Sequence, residues 1–304
     1  MSPTTTTTTT TTTPARVGVR KTYKLFIGGT FPRSESGRTY EVVDVKGRFL
    51  ANAALGSRKD ARDAVLAARS AQPRWAGATA YNRGQVLYRV AELLEGRRAQ
   101  FVADVAAGEG LTPRKAQDVV SATIDRWVWY AGWADKVAQV AGNANPVAGP
   151  YFNISAPEPT GVVAILAPQA SSLLGLVSVI APAIVTGNTV VVVASEARPL
   201  PAITLAEVLA TSDIPGGVVN IITGRTAEIT PHLAKHMDVN AIDLAGAAGA
   251  NGITWGELEA EAAETVKRVR RPATDTESDW THAQSLNAIL AHTETKTVWH
   301  PKGM

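Results

Sequence analysis

The stretch that decides the fold is GVVAILAPQASSLLGLVSVIAPAIVTGNTVVVVAS, residues 161–195. It begins with an apolar run, turns at Pro168, continues in small and apolar residues to about Thr186, and ends in a second apolar run. Near-continuous apolar strands on either side of a helix are typical of a parallel sheet covered on both faces. The stretch therefore predicts a strand–helix–strand unit, and the turn after its first strand is a common place for a ligand.

The same alternation continues along the chain. Further apolar strands are predicted in GVVNIIT (217–223) and NAIDLAG (240–246), with helices predicted through PAITLAEVLATS (201–212) and TAEITPHLAKHM (226–237). Strands that alternate with helices in this way predict a doubly wound α/β architecture, which commonly binds nucleotides.

The residues before this unit predict strands followed by helices. KLFIGGTF (24–31) is predicted to form a strand that turns at Gly28-Gly29 and pairs with TYEVVDV (39–45). Helices are predicted from Ser57 or Asp60, over 82–107, and over 112–140 with Thr112 as the N-cap. The last of these carries four large aromatic residues, for which packing between helices is a stronger interpretation than ligand stacking: Trp127, Trp129, Tyr130 and Trp133.

The residues after the unit follow a different pattern. Thr254 and Glu257 form a capping box for a predicted helix that ends at Pro272, and 280–293 is also predicted to be helical. YFNISAPEP (151–159) alternates like an exposed strand. KTVWHP (296–301) is predicted to form a terminal strand without an evident partner in this chain.

These patterns divide the chain into six segments. The predicted segments are a disordered Thr-rich tail (1–22, with ten threonines at 4–13), N-terminal strands and helices (23–140), a strand region (141–160), a Rossmann-like half (161–252), a helix (253–273), and a linker, helix and C-terminal strand (274–304).

Composition excludes several classes of protein. Of 304 residues, 45% are hydrophobic and 19% charged, which is a globular balance, and a net charge of +3 without a basic block disfavours a nucleic-acid partner. The chain has no cysteine, which excludes disulfides, thiolate metal sites and a cysteine nucleophile. No apolar run is long enough to cross a membrane and no apolar leader is evident, so we predict a cytoplasmic protein.

Several segments resemble the NAD(P)-dependent aldehyde dehydrogenase superfamily. The most specific are EPTGVVAILAP, APAIVTGNTVVVV, IPGGVVNIITG and KHMDV, and the likeness extends from KLFIGGTF to HMDVNAI. The resemblance implies the Rossmann-like, doubly wound NAD-binding domain of that family, with N-terminal helices, a strand-type oligomerisation arm and no catalytic domain. It also implies that 23–140 belongs to the cofactor domain and that 141–160 and 274–304 contain oligomerisation strands. TETKTVWHP (293–301) would then be the terminal strand that pairs with a neighbouring subunit.

Carried over residue by residue, the resemblance leaves a remnant of the cofactor site. Where the family has Pro-Trp-Asn, with Asn in the oxyanion hole, this chain has Pro168, Gln169 and Ala170. Where the family has Lys-Pro-x-Glu for the adenine ribose, only Glu196 remains. Four residues are therefore predicted as remnant cofactor-binding positions, with NAD or NADP binding weak or lost: Pro168, Glu196, Gly224 and Gly246.

Other positions of the family's cofactor site have changed type. Val193 stands in place of the ribose-binding Lys, and Leu244, Ala245, Gly246 and Ala247 replace Phe-Thr-Gly-Ser. The family's general-base segment and catalytic domain are expected to be missing after Gly252, so no catalytic residue is predicted. His232 and His236 have the spacing of a metal-binding pair, but no third ligand is evident and no metal site is predicted.

Three hypotheses of function follow. The first is a non-catalytic subunit that assembles with itself or with a full-length aldehyde dehydrogenase paralogue. The second is an aldehyde oxidoreductase with an unrecognised active site, which the missing cysteine and oxyanion Asn disfavour. The third is a dinucleotide-binding sensor, which Glu196 favours and the changes at Val193 and Ala247 disfavour.

Overall fold

The computed structural model describes residues 21–303, so the threonine tract lies outside the described residues. The elements of the N-terminal part are β1 (Thr22–Tyr23), β2 (Thr39–Val43), β3 (Phe49–Ala54), α1 (Arg58–Gly77), α2 (Ala80–Gly96), α3 (Arg98–Glu109), α4 (Pro113–Trp133) and α5 (Val137–Ala141). Because Thr22 pairs in parallel with Asn52, the tail predicted for 1–22 extends too far: Thr22 belongs to a sheet.

The central and C-terminal elements follow. They are β4 (Asn143–Asn145), β5 (Tyr151–Pro159), β6 (Val162–Leu166), α6 (Leu174–Ile184), β7 (Thr189–Val193), α7 (Leu200–Leu209), β8 (Val219–Ile222), α8 (Thr226–Lys235), β9 (Ala241–Asp243), a 3-10 turn (Ala247–Gly249), α9 (Trp255–Ala263), β10 (Arg268–Arg270), α10 (Leu286–Leu290) and β11 (Thr293–Pro301).

The centre of the molecule is a parallel sheet with strand order β10–β9–β6–β7–β8. Every residue of β6, β7 and β8 is buried, as their continuous apolar sequence predicts. One apolar cluster on the sheet includes α2, α4, α6 and α7, and a second includes α1, α8 and α9. The prediction of a doubly wound α/β fold is confirmed.

The aromatic residues of α4 pack between helices as expected. Trp127 and Tyr130 are fully buried in the larger cluster, and Trp129 and Trp133 pack against it. Their neighbour Arg126 is also buried and donates hydrogen bonds to the backbone oxygens of Trp280 (2.9 Å) and Thr281 (3.1 Å). This arginine therefore holds the segment before α10 against the core.

Three predictions for the N-terminal part are wrong, the first being the single helix over 112–140, because α4 ends at Trp133 and α5 follows as a separate helix. β2 pairs with β3 rather than with 24–31, whose Phe26 instead forms a bridge with Ile221 of β8. The helix predicted over 82–107 is interrupted at Arg97, which leaves the helical conformation directly after Gly96. The Arg97 side chain bonds Gln100 and Glu207, a distant contact that the local pattern does not reveal.

The region after Gly252 differs more strongly from the structure that its sequence predicts. The capping box of Thr254 and Glu257 is present, but α9 ends at Ala263 and Val266 has a positive φ of 55°. The chain then forms β10, which adds to the open edge of β9. A strand replaces the second half of the predicted helix because β9 offers backbone groups that need partners.

The terminal strand has a partner in its own chain, contrary to the sequence prediction. β11 pairs antiparallel with β5 over nine residues, from Thr293 opposite Pro159 to Pro301 opposite Tyr151. β4 pairs with the other side of β5, so the sheet has the order β11–β5–β4. We call this three-stranded sheet the arm.

Candidate functional site

The candidate site lies at the turn between β6 and α6, at the carboxyl ends of the parallel strands. Three consecutive amides of this turn donate to one carboxylate, that of Glu277. The Gln169 and Ala170 N–H groups lie 2.8 and 2.7 Å from Oε2, and the Ser171 N–H lies 2.9 Å from Oε1. Hydrogen bonds to an ionised acceptor are the stronger kind, so the turn holds an anion supplied by the chain itself.

A second carboxylate, that of Glu109, accepts hydrogen bonds from the next residue of the turn, Ser172. The backbone N–H and the hydroxyl of Ser172 both lie 2.7 Å from Oε1 of Glu109, the last residue of α3. Burial raises the pKa of the Glu109 carboxyl, and the hydrogen bonds from Ser172 offset part of that rise. Consecutive amides from Gln169 to Ser172 are thus bonded to glutamates from distant parts of the chain.

A cavity of about 520 Å³ lies beside this turn. Its walls carry two arginines, Arg198 and Arg225, and the Arg198 guanidinium donates to the backbone oxygen of Ala170. Of the four predicted remnant residues, only Glu196 lines it. The other polar lining residues include Tyr40, Glu41, Asp44, Gln169, Asn251 and Glu277.

Both oxygens of the Glu196 carboxylate accept hydrogen bonds from neighbouring residues of this chain. Its Oε1 lies 2.6 Å from Nη1 of Arg225, and its Oε2 accepts the Thr226 N–H at 2.9 Å, at the first residue of α8. The Tyr40 hydroxyl donates to the Glu196 backbone oxygen at 3.0 Å, and burial raises the pKa of Tyr40. Glu196 therefore serves the N-terminus of α8 in this conformation, and its role toward a ribose stays a prediction.

Of the other three predicted residues, Pro168 and Gly246 meet at the turn, whereas Gly224 packs against Gly56. Gly246 lies so close to the strand end that a Cβ on it would come within 2.4 Å of the Pro168 nitrogen. Gly224 has a φ of +144° and faces Gly56, whose nitrogen would lie 2.9 Å from an added Cβ. Any residue with a Cβ at Gly246 or Gly224 would clash with the neighbouring backbone, so packing alone requires glycine at both positions. No bound ligand is needed to explain them.

The positions where the family's polar groups are replaced are apolar, and all of them except Ala170 are closed to solvent. Val193 and Ala194 are fully buried, and Ala247 is nearly so. No side chain at Ala170 can donate a hydrogen bond into the cavity. Within residues 21–303, no group of three or more histidine or acidic residues is placed to hold a metal ion.

A buried ion cluster lies at the end of β9. Asp243 is fully buried, and its Oδ2 lies 2.8 Å from Nη1 of Arg270 on β10 and 3.2 Å from Nε2 of His292 before β11. Burial alone would raise the pKa of Asp243, but Arg270 and His292 outweigh it and hold that pKa well below the ordinary range. The cluster joins the central sheet to His292, which directly precedes β11. We call this residue the root of the arm.

The parallel sheet with helices on both faces and a turn of backbone amides at its carboxyl end place this chain among the doubly wound α/β folds. The sequence pattern of the aldehyde dehydrogenase family matches residues 31–282. The chain belongs to the aldehyde dehydrogenase family. The match extends beyond HMDVNAI, where the quoted central likeness ends, through α9 and β10 to the segment that carries Glu277.

Sequence identities to curated relatives support membership of this family. The chain is 33% identical over 236 residues to cytosolic 10-formyltetrahydrofolate dehydrogenase of Pongo abelii, covering 75% of this chain and 26% of that protein. It is 32% identical over 240 residues to aldehyde dehydrogenase family 2 member B4, mitochondrial, of Arabidopsis thaliana, covering 77% and 44%. The chain therefore spans a quarter to less than half of the length of these relatives.

Solved structures show the same relation. HpcC from Thermus thermophilus superposes with a TM-score of 0.76 at 29% identity, covering 82% of this chain and 47% of that one. An aldehyde dehydrogenase from Bacillus cereus, solved as an NAD+ complex, gives 0.76 at 29%, covering 82% and 50%. None of the helices in the described part of this chain has the length and apolar character of a membrane-spanning helix.

Sequence reasoning missed the residues that fill the turn. Glu277 lies in the predicted linker and Glu109 at a helix end, more than a hundred and about sixty residues from their partners. No local pattern marks either residue, since a lone glutamate in a polar stretch is the ordinary composition of a surface loop. Only a prediction of contacts across the chain could have found them.

Proposed function

We propose that this chain is a non-catalytic member of the aldehyde dehydrogenase family that works as a structural or regulatory subunit. In this proposal it assembles through the arm, either with a second copy or with a full-length aldehyde dehydrogenase. The cytoplasmic location predicted from the sequence stays a prediction.

The observation that carries the proposal is an exposed apolar face on the arm. Phe152 and Ile154 lie two residues apart on β5, and Val298 of β11 lies opposite Ile154, so the three side chains share one face. Their exposed fractions are 56%, 47% and 40%, and none belongs to a hydrophobic core cluster of the described chain. Adjacent exposed apolar residues mark an interaction surface.

The chemistry of the turn supports the non-catalytic part. The chain contains no cysteine, and Ala170 offers no side-chain donor to a developing oxyanion. Loss of one such donor typically lowers the rate by about 10²–10³. The residues present also do not fit an anionic cofactor at the turn, because the Glu277 carboxylate occupies its amides.

The arm is tested by placing charges on its apolar face. We expect the unmodified chain to exceed its 32.0 kDa monomer mass in size-exclusion chromatography with light scattering. The double variant F152E/V298E should elute as a monomer, because two carboxylates on one face cannot be desolvated in an interface. L66E is the control, since Leu66 is 54% exposed on α1, away from the arm.

Co-expression with tagged full-length aldehyde dehydrogenases of the same organism tests the second type of partner. The unmodified chain and L66E should co-elute with a partner, whereas F152E/V298E should not. A chain that stays monomeric and co-elutes with none of them would contradict the proposed assembly. The non-catalytic role is contradicted if the purified chain alone produces NADH from NAD and an aldehyde.

A further inference from the structure

We propose that the Glu277 carboxylate is the resident anion of the β6–α6 turn, an internal plug that closes the turn to anions from solution. This inference rests on the proposed function and deepens it by naming what occupies the turn amides. The plug segment is defined as residues 272–282, which connect β10 to the region before α10.

The bonding geometry is that of a bound anion. Both carboxylate oxygens are used, and the three donors are consecutive amides that converge on one point. Oε1 also lies 3.3 Å from Nε1 of Trp280. Convergent backbone N–H groups of this kind form anion-binding concavities in proteins.

The plug segment is anchored in the core directly after Glu277. Trp280 is 5% exposed and belongs to the larger apolar cluster. Arg126 of α4 is almost completely buried and donates to the backbone oxygens of Trp280 and Thr281. Because the chain is fixed three residues after Glu277, little conformational freedom remains to be lost when the carboxylate enters the turn.

The opposite wall leaves room for the carboxylate. A Cβ added at Gly249, in the 3-10 turn, would lie 3.0 Å from Oε2 of Glu277 and 3.2 Å from Cβ of Gln169. Gly249 is therefore packed against the plug, and this contact is independent of the hydrogen bonds. Arg198, which lines the same cavity, adds a positive charge beside the turn.

The test uses the full chain and hydrogen–deuterium exchange at residues 169–171. In the unmodified chain these amides should be protected, and sodium acetate should not change their exchange relative to sodium chloride at equal ionic strength. In E277A exchange should speed up by about tenfold or more, which is the effect of losing a charged acceptor. Acetate should then restore protection, because it supplies the missing carboxylate.

D275A is the matched control, since Asp275 is an exposed carboxylate on the same segment. It should show the exchange of the unmodified chain with either salt. If E277A is unfolded, E277Q and G249A replace it: the first removes the charge at constant size, and the second crowds the carboxylate. Both should speed up exchange at 169–171, because glutamine is an uncharged and weaker acceptor and the methyl group of alanine displaces the carboxylate.

Protection that persists in the Glu277 variants, a failure of acetate to restore it in E277A, or an acetate response in the unmodified chain would each overturn the plug. These results are independent of the assembly and activity tests. NADH production by the unmodified chain would end the proposed function, whereas the exchange of these amides alone decides whether Glu277 fills the turn.

Discussion

Replacing Asp243 with asparagine is expected to lower the free energy of unfolding by about 3–5 kcal/mol, the usual cost of removing one partner of a buried ion pair. The Asp243 carboxylate is fully buried between Arg270 and His292, and asparagine leaves the charge on Arg270 without a counterion. Because the Arg270 side chain remains 26% exposed, the loss should fall toward the lower end of that range. Equilibrium denaturation in urea measures it.

The same substitution should change the response to acid. The pKa of Asp243 is lowered in the folded state, so the cluster contributes stability above the ordinary aspartate value of about 3.9 and loses it as the pH falls below that value. The unmodified chain should therefore lose stability on acidification more steeply than D243N. If the free energy of unfolding fell equally steeply with pH in both proteins, the lowered pKa assigned to Asp243 would be contradicted.

The control for D243N is E92Q, which removes an exposed ion pair. Arg89 and Glu92 lie 3.2 Å apart on α2, and both side chains are about half exposed. Such pairs contribute about 0–1 kcal/mol. If E92Q lost as much free energy of unfolding as D243N, burial of the ion pair would not be what determines the cost of removing it.

Replacing Asn188 with alanine is expected to cost about 3 kcal/mol, because several buried groups lose a partner at about 1–3 kcal/mol each. Asn188 is fully buried before β7. Its Oδ1 accepts the Gly161 N–H at 2.8 Å, and its Nδ2 donates to the backbone oxygens of Ala183 and His292 at 2.8 and 2.9 Å. One side chain thus joins β6, α6 and the root of the arm.

Two measurements separate this role from a general loss of packing. Urea denaturation gives the cost, and amide exchange along β11 should increase in N188A because His292 immediately precedes that strand. N82A is the control: Asn82 is an exposed residue of α2, so its replacement should change stability by less than about 0.5 kcal/mol. Unchanged exchange along β11 in N188A would show that Asn188 does not hold the arm.

Local signals in the sequence predicted the central unit well. Apolar runs such as those around 162–166 and 189–193, on either side of a helix, are typical of a parallel sheet covered on both faces, and the structure contains that sheet. The caps at Ser57, Thr112 and Thr254 also mark the starts of α1, α4 and α9. These features were predictable because their causes, periodicity and a hydrogen bond to the next turn, lie within a few residues.

Predictions failed where backbone groups found distant partners. The charged run around 268–270 continues a helical pattern, yet it forms β10 because β9 has an unpaired edge at that place. KTVWHP forms part of β11 because β5, more than a hundred residues earlier, lies alongside its path. Helix and strand propensities differ by about 1 kcal/mol or less per residue, so a ladder of hydrogen bonds overrides them.

The sequence by itself determined the family and the doubly wound sheet, because both depend on patterns of residue types along short segments. It also determined the loss of the family's polar groups at Ala170, Val193 and Ala247, because that loss depends only on the residue type at each position. Tertiary structure alone decided what occupies the turn and what holds the arm. Glu277 reaches three amides from more than a hundred residues away, and Asp243 meets Arg270 and His292 only in the folded chain. Such contacts follow from the path of the backbone in space, which no local pattern of side chains encodes.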